Sequence, residues 1–102
     1  FFHASSSRFD QTRSLLLSHN SFTSIPPLIF TRFFKLEVLK MDNCKLNIIP
    51  DGIISLQCLT EICMRDNYLD ALPPSLFLLT SLMILDVGRN RVTRLPRDCA
   101  KA

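Results

Sequence analysis

The side chains best suited to chemistry in this sequence are four cysteines, two histidines and one carboxylate-rich pentapeptide. Their spacing assembles none of them into a reactive centre. Cys44, Cys58, Cys63 and Cys99 contain no C-x-x-C pair, and His3 and His19 stand at no zinc-motif offset from them. A cysteine nucleophile needs a base or an electropositive setting to hold its thiolate. The segment Asp66-Asn67-Tyr68-Leu69-Asp70 lacks the oxygen spacing and the glycine of a calcium loop. There is no phosphate-cradling glycine loop and no G-x-S-x-G elbow. The expectation is a chain that is not an enzyme and uses no metal, no cofactor and no small-molecule substrate.

A second group could act through charge. Arg89, Arg91, Arg94, Arg97 and Lys101 form a basic edge that could meet an acidic lipid headgroup or a nucleic acid backbone. Asp86 and Asp98 flank it, and no aromatic residues interleave for base stacking. The net charge of +3 is mild. Nucleic acid and membrane are therefore set behind a protein partner, and the run reads as solvated loop positions.

The elements that must position these groups follow from length and pattern. With 102 residues, 47% of them apolar, the chain has room for one domain with a core. It begins at Phe1 with a polar segment behind, showing no signal-peptide pattern. The most apolar stretch, residues 75–85, is short against the ~20 residues that a membrane span needs. Cysteines without a disulfide-like pattern, and no N-x-S/T acceptor, point to a reducing compartment and a cytoplasmic location.

Self-similarity organises the rest. Ile25-Pro26, Ile49-Pro50, Leu72-Pro73 and Leu95-Pro96 recur at a spacing of 24 residues and then 23. Ahead of each lies one apolar rhythm: Leu36, Leu39, Met41, Cys44, Leu46 in one copy and Leu59, Ile62, Met64, Asn67, Leu69 in the next. Leu82, Leu85, Val87, Asn90, Val92 continue it, and Thr12, Leu15, Leu17, Asn20, Phe22 open it. Repeats are expected over residues 12–35, 36–58, 59–81 and 82–102, the last cut short. Residues 1–11, with Phe2 and Phe9, read as the tail of a preceding degenerate repeat, and the whole as a fragment of a longer array.

Around Leu39 and Met41 the apolar residues alternate with Val38, Lys40 and Asp42, which is the period of a strand with one dry face. Such strands are too short to stand alone and must stack in parallel, with the proline segment as return path. Proline suits that path because its φ is fixed and it leaves no amide unsatisfied. Asparagine after the strand offers both donor and acceptor to turn backbone that has no ladder partner. Asn20, Cys44, Asn67 and Asn90 should form this turn ladder, with Cys44 contributing only a weak thiol donor.

The pattern L-x-x-L-x-L-x-x-N-x-L-x-x-L-P resembles the short intracellular leucine-rich repeat of Ras-suppressor-type and Scribble/Erbin-type scaffold proteins, and it covers residues 12 to about 99. Cys44 in place of asparagine, Thr12 in place of leucine, and one extra residue around Phe30 to Phe34 depart from it. The resemblance implies an α/β repeat solenoid, a horseshoe with a parallel concave sheet and short helical, 3-10 or extended segments on the convex side. It also implies a scaffold or adaptor in intracellular signalling.

Outward-facing residues of adjacent strands should align in columns ~4.8 Å apart. Ser14, Val38, Glu61, Ile84 make one, and Leu16, Lys40, Cys63, Asp86 the next. Beyond these come Ser18, Asp42, Arg65, Gly88, and then His19, Asn43, Asp66, Arg89. Apolar residues among charges of both signs describe a protein-binding face. The expected contact set is Leu16, Val38, Lys40, Asp42, Glu61, Cys63, Arg65, Ile84, Asp86 and Arg89, with His19 beside it. Lateral ion pairs are expected between Asp42 and Arg65 and between Asp66 and Arg89. Lys40 and Asp86 beside Cys63 make no nucleophile–base pair. Cys58 and Cys99 are expected as buried structural residues, and Leu85 as a residue deep in the stack. The alternatives are a spacer segment, the targeting arm of a larger signalling enzyme, or an acidic lipid or nucleic-acid contact through the basic edge.

Overall fold

The computed structural model describes residues 7–93. Within them, four three-residue strands form one parallel sheet: β1 (Ser14–Leu16), β2 (Val38–Lys40), β3 (Glu61–Cys63) and β4 (Ile84–Asp86). They lie in sequence order, and Leu15, Leu39, Ile62 and Leu85 pair across them. Each pair of neighbours is one repeat apart, so the register follows the sequence period. This is the expected open solenoid. Alternation is strict on the inner strands: Leu39 and Ile62 have no exposure, while Val38, Lys40, Glu61 and Cys63 are half-exposed.

The return path runs opposite the sheet and varies with repeat length. In the two 23-residue repeats it is a 3-10 helix, Asp51–Ser55 and Pro74–Leu78, each preceded by an extended proline (Pro50 ψ 155, Pro73 ψ 144). The 24-residue repeat instead forms a short α-helix, α1 (Leu28–Arg32), and Pro27 before it is already helical at ψ −25. An α-helix rises ~1.5 Å per residue and a 3-10 helix ~2.0 Å, so the wider helix absorbs the additional residue over a similar span. Ile29, Ile53 and Leu76 point inward from these segments and are fully buried.

Between sheet and return path lies one apolar column per repeat. Leu36, Met41, Leu46, Ile49 and Leu56 of one repeat pack with Leu59, Met64, Leu69, Leu72 and Leu79 of the next. Complete burial of such a side chain contributes ~1.5–3 kcal/mol. Toward the amino-terminal side the core is covered by a 3-10 turn, Ser7–Gln11, whose Phe9 ring stacks on Phe33 at 5.0 Å. Leu85 corrects the sequence expectation. It is only half-buried, as is Leu15, because each lies on an outer strand of the described sheet. Cys58 is a second correction: it is exposed, since it stands just before Leu59 where Lys35 and Ser81 stand in the neighbouring repeats, all facing solvent. Cys99 and Phe2 lie outside the described residues.

The turn after each strand uses one device. His19, Asn43, Asp66 and Arg89 all adopt positive φ, between 52 and 65°. That left-handed step turns the chain off the sheet and exposes backbone groups that the next side chain must satisfy. Asn67 does so completely. Its Oδ1 accepts the backbone N–H of Cys44 (2.9 Å) and Leu46 (3.0 Å), and its Nδ2 donates to the carbonyls of Met41, Met64 and Arg65. Asn90 repeats the pattern toward Leu69 N–H and the carbonyls of Met64, Val87 and Gly88. Cys44 donates its thiol to Leu17 O at 3.2 Å, bridging repeats as a donor. Asn20 is exposed and bonds only the carbonyls of its own turn, Leu17 and Ser18.

Candidate protein-interaction face

Strand alternation places the outward side chains of β1 to β4 on one open surface. Cα register sets Ser14, Val38, Glu61, Ile84 and then Leu16, Lys40, Cys63, Asp86 in columns. Backbone bonds from His19 to Asp42, Asn43 to Arg65 and Asp66 to Gly88 carry the alignment past the strands. All ten side chains of the expected contact set therefore share one surface. Exposure is uneven: Leu16 is 67% and Ile84 51% exposed, while Val38, Lys40, Glu61, Cys63 and Asp86 are half-buried by their neighbours.

The charges on this surface neutralise one another across strands. Arg13 meets Glu37 at 2.6 Å, Lys40 meets Glu61 at 3.8 Å, and Arg89 meets Asp66 at 2.6 Å. Arg65 corrects the sequence reading. Its guanidinium turns to Asp86 (3.1 Å) rather than to Asp42, and the Asp42 carboxylate instead accepts the backbone N–H of Arg65 at 2.7 Å. Gly88 makes this possible, since a Cβ there would stand 2.5 Å from the Arg65 guanidinium. The N–H of Gly88 donates to Asp86 and, with Arg65 beside it, holds that carboxyl below its ordinary pKa.

The surroundings of Cys63 disfavour its thiolate. Burial, then its hydrogen bond to Glu61 (3.3 Å) and the charges of Glu61 and Asp42, push its thiol up to about 11 against the opposing pull of Lys40. Thiolate is scarce at neutral pH under those conditions. Asn43 Nδ2 lies 3.4 Å from His19 Nδ1. Among the described residues no three His, Cys, Asp or Glu side chains gather as metal ligands, and no helix is long and apolar enough to cross a membrane.

The sequence reading missed Met83. At 84% exposed it is the most open large apolar side chain described, and it adjoins Ile84. It occupies the position of Glu37 and Thr60 in the preceding repeats, so extending the columns one residue upstream finds it. Of the basic edge, Arg89 is held by Asp66 and Arg91 lies 5.3 Å from the centre of the Tyr68 ring. Arg94, Arg97 and Lys101 fall outside the described residues.

Comparisons with known proteins agree with this geometry. Residues 10–69 match the sequence model of the leucine rich repeat. Over 82 residues, 80% of its length, the chain is 33% identical to the mouse (Mus musculus) leucine-rich repeat and calponin homology domain-containing protein 1. The solved structure of a leucine-rich-repeat protein from Leptospira interrogans superposes on 98% of the chain with a TM-score of 0.88 at 26% identity. The chain spans 11% of the mouse protein and 25% of the bacterial one.

Proposed function

Because the chain belongs to the leucine-rich-repeat family, we propose that it is a protein-interaction module that binds a partner protein through the concave face of its sheet. Leucine-rich-repeat domains generally mediate protein–protein interaction, and the family and fold are typically non-enzymatic. One observation carries the reading. Leu16, Ile84 and Met83 stand exposed on a surface whose Arg and Lys side chains are held in ion pairs across neighbouring repeats. Exposed apolar groups among immobilised charges give a partner area to bury and a fixed polar pattern to match.

The finer reading is a scaffold or adaptor in intracellular signalling, working in the cytoplasm. Its support is the resemblance of the repeat to intracellular scaffold repeats, and a Cys44 thiol spent on a hydrogen bond to Leu17 O. The contact residues we assign are Leu16, Val38, Lys40, Asp42, Glu61, Cys63, Arg65, Ile84, Asp86 and Arg89, with Met83 added. The test compares proteins captured from cell extract by the wild-type parent and by Val38→Asp, Ile84→Asp and Arg65→Glu variants of matched thermal stability. Selective loss of a partner supports the face. Retention of every partner by folded variants makes this surface a spacer.

A further inference from the structure

A second surface lies on the flank that descends from the sheet to the return path. Lys45, Tyr68 and Arg91 hold the same place in consecutive repeats, each directly after a residue of the turn ladder. Equivalent backbone bonds, Tyr68 N–H to Leu46 O and Arg91 N–H to Leu69 O, fix the row. Tyr68 is 45% exposed, with the Arg91 guanidinium 5.3 Å from its ring centre. Charge separates this flank from the concave face. There, Arg13, Lys40, Arg65 and Arg89 each have a carboxylate partner. Among the described residues, neither Lys45 nor Arg91 forms an ion pair.

Three residues further along the flank, an apolar groove opens between two repeats. It is lined by Ile48, Ile49, Ala71, Leu72 and Pro73, with Asp51 at its edge, and Ile48 is 58% exposed. The Asp51 carboxylate accepts a hydrogen bond from the Ser75 hydroxyl at 3.2 Å. Lys45 and Tyr68 each precede a groove residue, Ile48 and Ala71, by three positions, a path of at most ~10 Å at ~3.3 Å per extended residue. An extended peptide can therefore reach both with about three residues between its two contacts.

We propose that this flank docks an acidic peptide segment of a partner protein, carboxylates over Lys45, Tyr68 and Arg91 and an apolar side chain in the groove beside Ile48. Unpaired cations seek carboxylates, and an exposed tyrosine with a stacked arginine is the composition of an interface anchor. Two carboxylates on the described flank oppose such a ligand: Asp51 at the groove edge, which already accepts the Ser75 hydroxyl, and Asp70, exposed two residues beyond Tyr68. Asp70 supplies a directional control. The surface is separate from the concave face, so either reading can fail alone.

The chain carries its own reporter: one tyrosine, Tyr68, and no tryptophan. Tyrosine fluorescence is titrated with a peptide of two glutamates followed, three residues on, by a leucine, and with its lysine counterpart. A saturable change is expected with the acidic peptide and none with the basic one. Lys45→Glu with Arg91→Glu should weaken binding at least about tenfold, and Ile48→Asp comparably. Arg91→Gln, a milder change that keeps the fold, should weaken it severalfold. Asp70→Asn should tighten it about two- to threefold. Val38→Asp and Ile84→Asp should leave it unchanged. The proposal is overturned by no saturable change up to about 1 mM peptide, by equal response to both peptides, or by indifference to Arg91→Gln and Asp70→Asn. It is equally overturned if anionic vesicles or single-stranded DNA perturb Tyr68 while the acidic peptide does not.

Discussion

Replacing Asn67 by alanine tests the architecture at its most connected point. Asn67 is 4% exposed and the only buried polar residue described. Its amide accepts two backbone N–H groups of the preceding repeat and donates to three carbonyls. Alanine removes all five bonds and fills none of the space. The carbonyl of Arg65 sits at an exposed turn and can recover water, but the N–H groups of Cys44 and Leu46 belong to buried residues. A buried donor stripped of its acceptor costs ~1–3 kcal/mol, so two predict a loss of ~2–6 kcal/mol. Against a total stability of ~5–15 kcal/mol that is a large fraction. The control is Asn20→Ala, where an exposed side chain bonds only its own turn, for an expected cost of ~0–1 kcal/mol. Urea unfolding followed by circular dichroism reads both. With m of ~1–3 kcal/mol/M, Asn67→Ala should lower the midpoint by roughly 1–2 M and Asn20→Ala should leave it nearly in place. Equal midpoints for the two variants would refute the ladder as a source of stability.

Further outcomes follow from burial and charge. Leu39→Ala and Ile62→Ala, at positions with no exposure, should cost ~2–5 kcal/mol, and half-buried Leu85→Ala distinctly less, read from the same unfolding curves. Ile84→Asp should change stability by no more than ~0.5 kcal/mol, so a shifted thermal midpoint would show that its side chain packs inward. Iodoacetamide at pH 8, read by mass spectrometry, should label exposed Cys58 first and leave buried Cys44 intact, with Cys63 slow until the pH nears 11. The thiol of Cys63 stays protonated in the fold above the pH at which it ionises in the unfolded chain. Its linkage therefore lowers stability from about pH 9 to about 11, and Cys63→Ser should remove that slope. Asp86 works in the opposite sense: its lowered pKa gives a small contribution at neutral pH that fades as acid protonates it, and Asp86→Asn should flatten this part of an acid titration.

The period of the sequence determined the fold, since a repeat of 23 residues with apolar side chains at fixed offsets can bury them only by stacking in register. Strand centres at Leu15, Leu39, Ile62 and Leu85, the inward set and the columns of the concave face were all legible from that spacing. The extra residue near Phe30 was visible too, but not that it makes α-helix of a 3-10 turn. Where period alone was used, neighbours overruled it. Leu85 holds a core position yet lies on an outer described strand, and Asn20 has the right side chain but bonds the carbonyls of its own turn, Leu17 and Ser18. The tendency of cysteine to be buried misplaces Cys58, which its register sets at the solvent-facing position of Lys35 and Ser81. The charges show the limit most clearly. On a surface of columns ~4.8 Å apart, Arg65 has a carboxylate on each side, and its column neighbour in the sequence pattern is Asp42. The absence of a side chain at Gly88 lets the guanidinium lie toward Asp86, while Asp42 turns to a backbone N–H. Spacing fixes which residues meet because backbone geometry repeats. Which atoms bond depends on the space each neighbour leaves, and that exists only once the repeats are stacked.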